Sequence, residues 1–286
     1  MKHAKHHCRC PFCQGLETKR HGKAKSGHAR WYCKQCRRTF TPRDQQISAM
    51  GTALYFDSEA SYRAVGRKLA ITAATAYNKI ITLGFNCKSP MEASLELKPQ
   101  WSGYLVVDGD SLAVGNHRES LLLGVDAESQ DIPHAILAEN ENGLNWTRFL
   151  LVTKHPVGYP LKDIISDGDP AIQESIKAVF PEIPYQYCAR HFEKELYRYL
   201  RYQFTQKRGY WREGERFLET SKKLLYAYDF QTAQWWFRSI ISDPRFKKAG
   251  LGELIHKIGV NFKDLTRHHF FPGMPRTSNI AEGVIS

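Results

Sequence analysis

The sequence predicts a multidomain α/β protein, and three observations support this fold class. Residues 10–36 contain two pairs of closely spaced cysteines, which is typical of a small metal-bound module. Strand-length apolar runs begin near Trp101 and alternate with helical stretches. Residues 193–262 then carry aromatic and aliphatic side chains at helical spacing. A chain of 286 residues also exceeds what one compact core usually organises.

The N-terminal segment, residues 1–46, is predicted to be a zinc ribbon. Its two Cys-x-x-Cys pairs are Cys10 with Cys13 and Cys33 with Cys36. This spacing lets each tight turn present two thiolates to one tetrahedral zinc ion, which would supply most of the folding energy of so small a module. Disulfides are the alternative, but an odd number of cysteines, seven in all, and the absence of a secretory signal favour zinc.

The ligand set of the ribbon keeps some ambiguity. Cys8 precedes the first pair, and His6, His7 and His28 also carry suitable donor atoms. We expect the four paired cysteines to be the ligands. Cys87 is interpreted as an inert thiol, because no second candidate ligand stands near it in the sequence.

Positive charge is concentrated in the same segment. Residues 1–46 hold 12 lysines and arginines against Glu17 and Asp44, a net charge of +10 out of +12 for the whole chain. A basic segment of this kind favours a polyanionic partner, most often nucleic acid, although acidic membranes attract such segments too. We expect DNA contacts from the ribbon side chains Arg37, Arg38 and Arg43. No apolar run approaches the ~18 residues of a membrane span, so we expect an intracellular protein with no membrane partner.

Residues 47–98 are predicted to form a helix-turn-helix domain. Apolar residues recur at helical spacing on both sides of a short break near Ile71. The second helix, about Thr72 to Thr82, would enter the major groove and contact DNA through Thr72, Thr75 and Lys79. An ordinary helical hairpin is the alternative that periodicity alone leaves open.

Beyond Trp101, the runs YLVVDGD, SLLLGVDA and IPHAILAE predict three strands, followed by a helix around Trp146 to Lys154. Lys162 to Ser166 predicts a further strand. The next helix begins at Asp169-Pro170, with the aspartate as N-cap and the proline in the first turn. Asp169 is therefore interpreted as a cap, which leaves Asp167 at the strand end for chemistry.

Three acidic residues are the candidate catalytic groups. Asp108 and Asp167 each follow an apolar run, and Glu282 stands far downstream. Carboxylates mounted on strand ends suit two divalent ions, which cleave phosphodiesters by activating the attacking oxygen and stabilising the leaving one. Asp110 competes with Asp108, since residues two apart on a strand point to the same face. An aspartate in an Asp-Gly-Asp turn is the structural alternative.

The segment SDGDPAIQESIKAVFPEIPYQYCARHFEKEL and the later PRTSNIAEG resemble DDE transposases of the Mutator-like and bacterial insertion-sequence group. The resemblance implies an RNase H-like mixed sheet, with Asp108, Asp167 and Glu282 binding catalytic Mg²⁺ or Mn²⁺. It also implies a core formed by residues 99–192 and 271–286, interrupted by an all-helical insertion at 193–270. The zinc ribbon and helix-turn-helix are similar to the DNA-binding front end of that group.

Two further features accompany the resemblance. Cys188 and His191 are expected at a helix start beyond a strand from Pro184 to Tyr187, and we interpret them as groups that support the site, since two ligands are too few for a second zinc. Trp235 and Trp236 are expected to pack in the core; the alternative is stacking on DNA bases.

The predicted function is a DNA transposase that binds transposon ends and cleaves and joins strands into target DNA. We expect it to act as a homo-oligomer on DNA, in a prokaryotic cytoplasm at the nucleoid. The alternatives are a non-catalytic transposase relic or repressor, and an RNase H-like nuclease or resolvase. Because only four residues follow Glu282, we expect a chain truncated in the last part of its core.

Overall fold

The computed structural model describes residues 8–24, 27–41, 50–51, 53–55, 61–84, 87–114, 116–206 and 211–285. The chain divides into two compact units, residues 1–88 and 89–286.

The described part of the first unit includes a small sheet and a pair of helices that follow each other closely. The antiparallel strands are β1 (Thr18–Lys23), β2 (Ala29–Cys33) and β3 (Thr39–Phe40), in the order β1-β2-β3. The helices are α1 (Tyr62–Leu69) and α2 (Ala73–Gly84).

The two helices of this unit approach closely at a glycine. A Cβ on Gly66 would lie 2.8 Å from the backbone oxygen of Ile71, so only glycine permits the tight turn between α1 and α2. Val65, Ala76 and Ile80 are buried between the helices. The predicted pair of helices around a tight turn is therefore confirmed, with the second helix beginning one residue later than expected.

The second unit is a mixed α/β fold built on one five-stranded sheet. The strands are β4 (Tyr104–Val114), β5 (His117–Asp126), β6 (His134–Ala138), β7 (Asp163–Ser166) and β8 (Tyr185–Tyr187). Their order is β6-β5-β4-β7-β8. The first three strands form an antiparallel meander, whereas β7 and β8 pair in parallel. This order and these directions are those of an RNase H-like sheet, as expected.

Helices surround the sheet and extend from it. They are α3 (Pro90–Leu97), α4 (Gly143–Lys154), α5 (Pro170–Val179), α6 (Ala189–Gln206), α7 (Trp211–Leu225), α8 (Phe230–Ser242), α9 (Pro244–Lys248), α10 (Gly252–Thr266) and α11 (Asn279–Ile285), with a 3-10 turn at Arg267–Phe270. The N-cap prediction is confirmed, because the Asp169 carboxylate accepts a hydrogen bond from the Ala171 N–H at 2.7 Å.

The two faces of the large sheet pack against different partners. Leu105, Val107 and Leu122 face helices α4 and α5 through a core that includes Trp146 and Phe149. The alternate residues Val106, Leu123, Val125 and Ile165 point to the other face, where they pack with Cys188, Met274 and Ala281. Because strand side chains alternate, Asp108 lies on this second face.

Helices α6 to α10 form an all-helical region with its own core, as the periodicity predicts. Buried Leu196, Phe217, Phe246 and Leu254 belong to that core. The expectation for the tryptophan pair is wrong at Trp235, which is 58% exposed, and Trp236 is only partly buried. Helical spacing identifies the periodicity but not which neighbouring helix covers each face.

Candidate active site and metal centre

The four paired cysteines come together in the ribbon. The Sγ atoms of Cys10 and Cys36 lie 3.5 Å apart, as do those of Cys13 and Cys33, and all four lie within 4.8 Å of one another. A tetrahedral zinc with Zn–S bonds near 2.3 Å needs sulfurs about 3.8 Å apart. Burial raises the pKa of Cys10 to about 12, so a thiolate there needs a cation beside it. The donor set therefore fits zinc.

Sheet register brings the first two acidic residues together. Strands β4 and β7 pair in parallel, with Val106 opposite Ile165. Continuing this register by two positions sets Asp108 beside Asp167, which directly follows β7. Two residues that are far apart in sequence thus meet at the carboxyl end of β7.

Asp108 and Asp110 differ sharply in their surroundings. The alternative of a turn aspartate is wrong, because β4 continues through both residues to Val114. Asp108 is 8% exposed, and its carboxylate accepts the Gly109 N–H at 3.0 Å. Asp110 is exposed. Burial raises the pKa of Asp108 to about 6, opposed by the charge of His191 and assisted by the Asp167 carboxylate.

The turn after β7 fixes the position of Asp167. Its carboxylate accepts a hydrogen bond from the Asp169 N–H at 3.0 Å. Gly168 adopts φ +87°, and a Cβ at this position would lie 2.0 Å from the ring of Tyr187. Only glycine therefore permits the backbone to turn here against β8.

Glu282 reaches the same face of the sheet from α11. Ala281 of this helix packs against Val106 and Cys188. The Glu282 carboxylate is contacted by two side chains of α6: Nε2 of His191 at 3.5 Å and Nζ of Lys194 at 3.2 Å. The charges of Asp167 and Glu282 both contribute to the raised pKa of Asp108, so the three acids share one electrostatic environment.

Cys188 directly precedes α6 and His191 lies in its first turn, as the resemblance implies, and Ser278 contacts both. The fully buried Cys188 sulfur accepts hydrogen bonds from the Ser278 N–H at 3.2 Å and hydroxyl at 3.3 Å. The Ser278 hydroxyl lies 3.2 Å from Nδ1 of His191. The hydrogen bond with Cys188 raises the pKa of His191, although burial acts in the opposite direction. The imidazole is thereby held facing Asp108 and Glu282.

The acidic residues are nevertheless not drawn together as tightly as the cysteines. Within the ranges that the structure describes, only the four cysteines form a group of three or more candidate ligands with donor atoms within 4.8 Å of one another. Burial, assisted by the charges of Asp167 and Glu282, raises the pKa of Asp108, and a divalent cation at this place would offset the cost of keeping that carboxylate ionised. The donor chemistry fits Mg²⁺ or Mn²⁺.

Sequence reasoning missed three side chains near the acids: Lys194, Ser278 and Glu141. A Cβ on Gly109 would lie 2.4 Å from the carboxylate of Glu141. Burial raises the pKa of Glu141, and the charges of Asp167, Asp169 and Asp110 add to the shift. No sequence motif includes Glu141, whereas Ser278 lies within the transposase-like segment PRTSNIAEG, which could have identified it.

The side chains of the first unit that are predicted to contact DNA differ in exposure and in their hydrogen bonds. Arg37 and Arg38 are exposed, and the Arg38 guanidinium lies over the Phe12 ring, 5.2 Å from its centroid. The Thr72 hydroxyl caps α2 by accepting the Thr75 N–H at 3.1 Å. Lys79 is half-buried on the same helix. Arg43 lies outside the described residues.

No helix in the described part of the chain is long and apolar enough to cross a membrane.

Comparison with solved structures gives retroviral proteins. The catalytic core of HTLV-2 integrase in complex with magnesium, in its dimeric form, is 15% identical, with 37% of this chain and 75% of that chain covered and a TM-score of 0.27. Its trimeric form is 14% identical, covering 45% of this chain and 88% of that chain, also at 0.27. A chain of the simian T-cell lymphotropic virus intasome with PP2A regulatory subunit B56 gamma is 16% identical. The match covers 56% of this chain and 60% of that chain, with a TM-score of 0.27.

Comparison with protein families gives a match to the MULE transposase domain over residues 117–195. No curated protein matches the chain. The matched segment includes Asp167, Cys188 and His191, whereas Asp108 and Glu282 lie outside it. The match confirms the transposase resemblance found in the sequence, and it covers residues 117–195 of this chain.

Proposed function

We propose that this protein is a DNA transposase that cleaves DNA and joins a transposon end to target DNA. The observation that carries the proposal is the register of β4 and β7, which sets Asp108 beside Asp167 at the carboxyl end of β7. The helix that carries Glu282 packs on the same face of the sheet. The family match over residues 117–195 supports the same reaction class. Phosphoryl transfer needs little covalent chemistry from the protein, so carboxylates on rigid elements are sufficient machinery.

In this proposal Asp108, Asp167 and Glu282 hold two Mg²⁺ or Mn²⁺ ions. When bound, these ions activate the attacking oxygen and stabilise the leaving one. The chain's own residues position the acids: the Asp169 N–H orients Asp167, and the Gly109 N–H orients Asp108. Cys188 and Ser278 hold His191 beside Asp108 and Glu282.

The first unit is proposed to bind transposon ends. Zinc held by the four cysteines would order the ribbon, whose exposed Arg37 and Arg38 suit phosphate contacts. In a helix-turn-helix, α2 would enter the major groove, with Lys79 and Thr75 towards DNA and Thr72 capping the helix. A transposon has two ends to bring together, so we propose that the protein works as a homo-oligomer.

The test is strand transfer with Asp167→Asn, using the full chain, Mg²⁺ and DNA carrying the termini that flank the gene. We expect at least about a hundred-fold loss of joined product, because removing a metal-binding charge forfeits several kcal/mol of transition-state stabilisation. Asp110→Asn is the matched control and should retain activity. Full activity of the Asp167 variant would refute the assignment.

A non-catalytic DNA-binding protein is the second candidate. It is favoured by the contacts of Glu282 with His191 and Lys194, which satisfy that carboxylate without a metal. Calorimetric titration with Mn²⁺ separates the two candidates. Binding by the wild type that Asp108→Asn abolishes supports catalysis, whereas identical titrations of the two proteins support the binding role.

A further inference from the structure

Helix α6 directs an imidazole and an ammonium group at one oxygen of the third acidic residue. His191 and Lys194 are one helical turn apart, and both contact Oε1 of Glu282, at 3.5 and 3.2 Å. The two side chains differ in how firmly they are held in place. The His191 ring is held by Ser278 and is 24% exposed, whereas Lys194 is 39% exposed on a flexible stem.

The three acids lie on one face of the sheet without forming a tight cluster. Asp108 and Asp167 lie side by side at the carboxyl end of β7. Among the described residues, however, the donor atoms of these two acids and Glu282 do not all lie within 4.8 Å of one another. A carboxylate oxygen contacted by an ammonium already has a positive partner. A divalent ion arriving at this oxygen must therefore compete with Lys194.

We infer that Lys194 is a displaceable counterion of Glu282, which pairs with the carboxylate in metal-free protein and leaves it when a divalent ion binds. The inference rests on the proposed function, since it needs the three acids to bind metal. His191 remains in place because Ser278 and Cys188 anchor it. Lys194 is accordingly a positioning residue, which acts through Glu282 and lowers the affinity of the metal site.

The experiment is calorimetric titration of the full chain with Mn²⁺ at low ionic strength. Lys194→Gln and Lys194→Met remove the charge, and we expect both to bind Mn²⁺ more tightly, by roughly two- to five-fold, the range that exposed ion pairs usually contribute. Lys194→Arg keeps the charge and should bind no more tightly than the wild type. Lys248→Gln, an exposed lysine on α9, is the matched control and should leave the affinity unchanged.

Salt gives an independent readout. The Lys194–Glu282 pair is half-exposed, so added NaCl weakens it, and the difference between wild type and Lys194→Gln should shrink as salt rises. Wild-type or weaker Mn²⁺ affinity in both neutral variants, with unchanged melting temperatures, overturns the inference.

The result also separates this inference from the proposed function. Mn²⁺ binding that Asp167→Asn abolishes but the neutral Lys194 variants leave unchanged removes only the role of Lys194. Mn²⁺ binding that is absent, or indifferent to Asp167→Asn, removes the proposed metal site and the inference with it.

Discussion

The zinc ribbon and the acidic site on the large sheet each bring candidate metal ligands together, but the ligands are separated by very different lengths of chain. The four cysteines lie between residues 10 and 36, and two tight turns bring their sulfurs within 4.8 Å. The three acids span residues 108 to 282 and come from a strand, a turn and a terminal helix. The first site depends on local geometry, whereas the second depends on the tertiary structure of a whole domain.

This difference has a consequence for stability. Apart from its cysteines, the core of the ribbon consists of buried Phe40 and partly buried Phe12 and Trp31, so the metal must supply most of its stability. The acid site stands on a sheet with buried cores on both faces. We therefore expect metal loss to unfold the ribbon but to leave the RNase H-like unit folded.

The largest expected effect is loss of the ribbon in Cys33→Ser. A structural zinc contributes on the order of 10 kcal/mol to such modules, so losing one thiolate should release the ion and unfold the ribbon. Zinc content by atomic spectroscopy should fall to near zero, while the amide signals of the second unit persist in NMR spectra. Cys87→Ser, an exposed thiol, is the control and should retain the zinc. Full zinc retention by Cys33→Ser would contradict the ligand assignment.

The next prediction concerns the turn after β7, which positions Asp167, and it changes no charge. Gly168→Ala forces a Cβ against the Tyr187 ring at a φ of +87°, so we expect about 2 to 4 kcal/mol of destabilisation in urea unfolding. Gly158→Ala is the matched control: its φ is +66°, but a Cβ there meets nothing within 4 Å. It should cost about 1 kcal/mol. Equal losses would show that strain alone, without the Tyr187 contact, matters.

The third prediction concerns pH. Burial raises the pKa of Asp108 to about 6, above the value of about 3.9 in an unfolded chain. Its neutral form is thus favoured in the folded state, and this stabilisation is present below pH 4 and is lost as pH rises through 6. Relative to Asp108→Asn, the wild type should lose about 2 to 3 kcal/mol of unfolding free energy between pH 4 and 7 in buffer without divalent ions. Parallel pH profiles would contradict the buried environment of Asp108.

The smallest expected effect lies in the helical region. Trp235 is 58% exposed, so Trp235→Ala should change the free energy of unfolding by less than about 0.5 kcal/mol. Trp236 packs against the helical core with Lys223 over its ring, and Trp236→Ala should cost about 1 to 3 kcal/mol. Urea unfolding of both variants measures the contrast. A larger loss from Trp235→Ala would mean that this side chain packs more deeply than its exposure indicates.

Sequence patterns predict the local features of the molecule well. The strand before Asp167 and the cap at Asp169 agree with the structure within a residue, because each depends on neighbouring residues. The same reasoning takes Asp108 as the end of an apolar run, whereas β4 continues to Val114. Polar residues inside a strand look like its end when the partner strand is not visible.

The sequence by itself determined the cysteine pairs, the helical periodicity and the succession of strands and helices along the chain, since all of these are set by contacts between near neighbours. Only the tertiary structure decided that Asp108 lies beside Asp167, and that Glu282 meets Lys194 and His191. Those contacts depend on strand register and on the packing of α11 over one sheet face. Residue spacing along the chain carries no record of either, because paired strands can be joined by a short hairpin or by a long crossover connection.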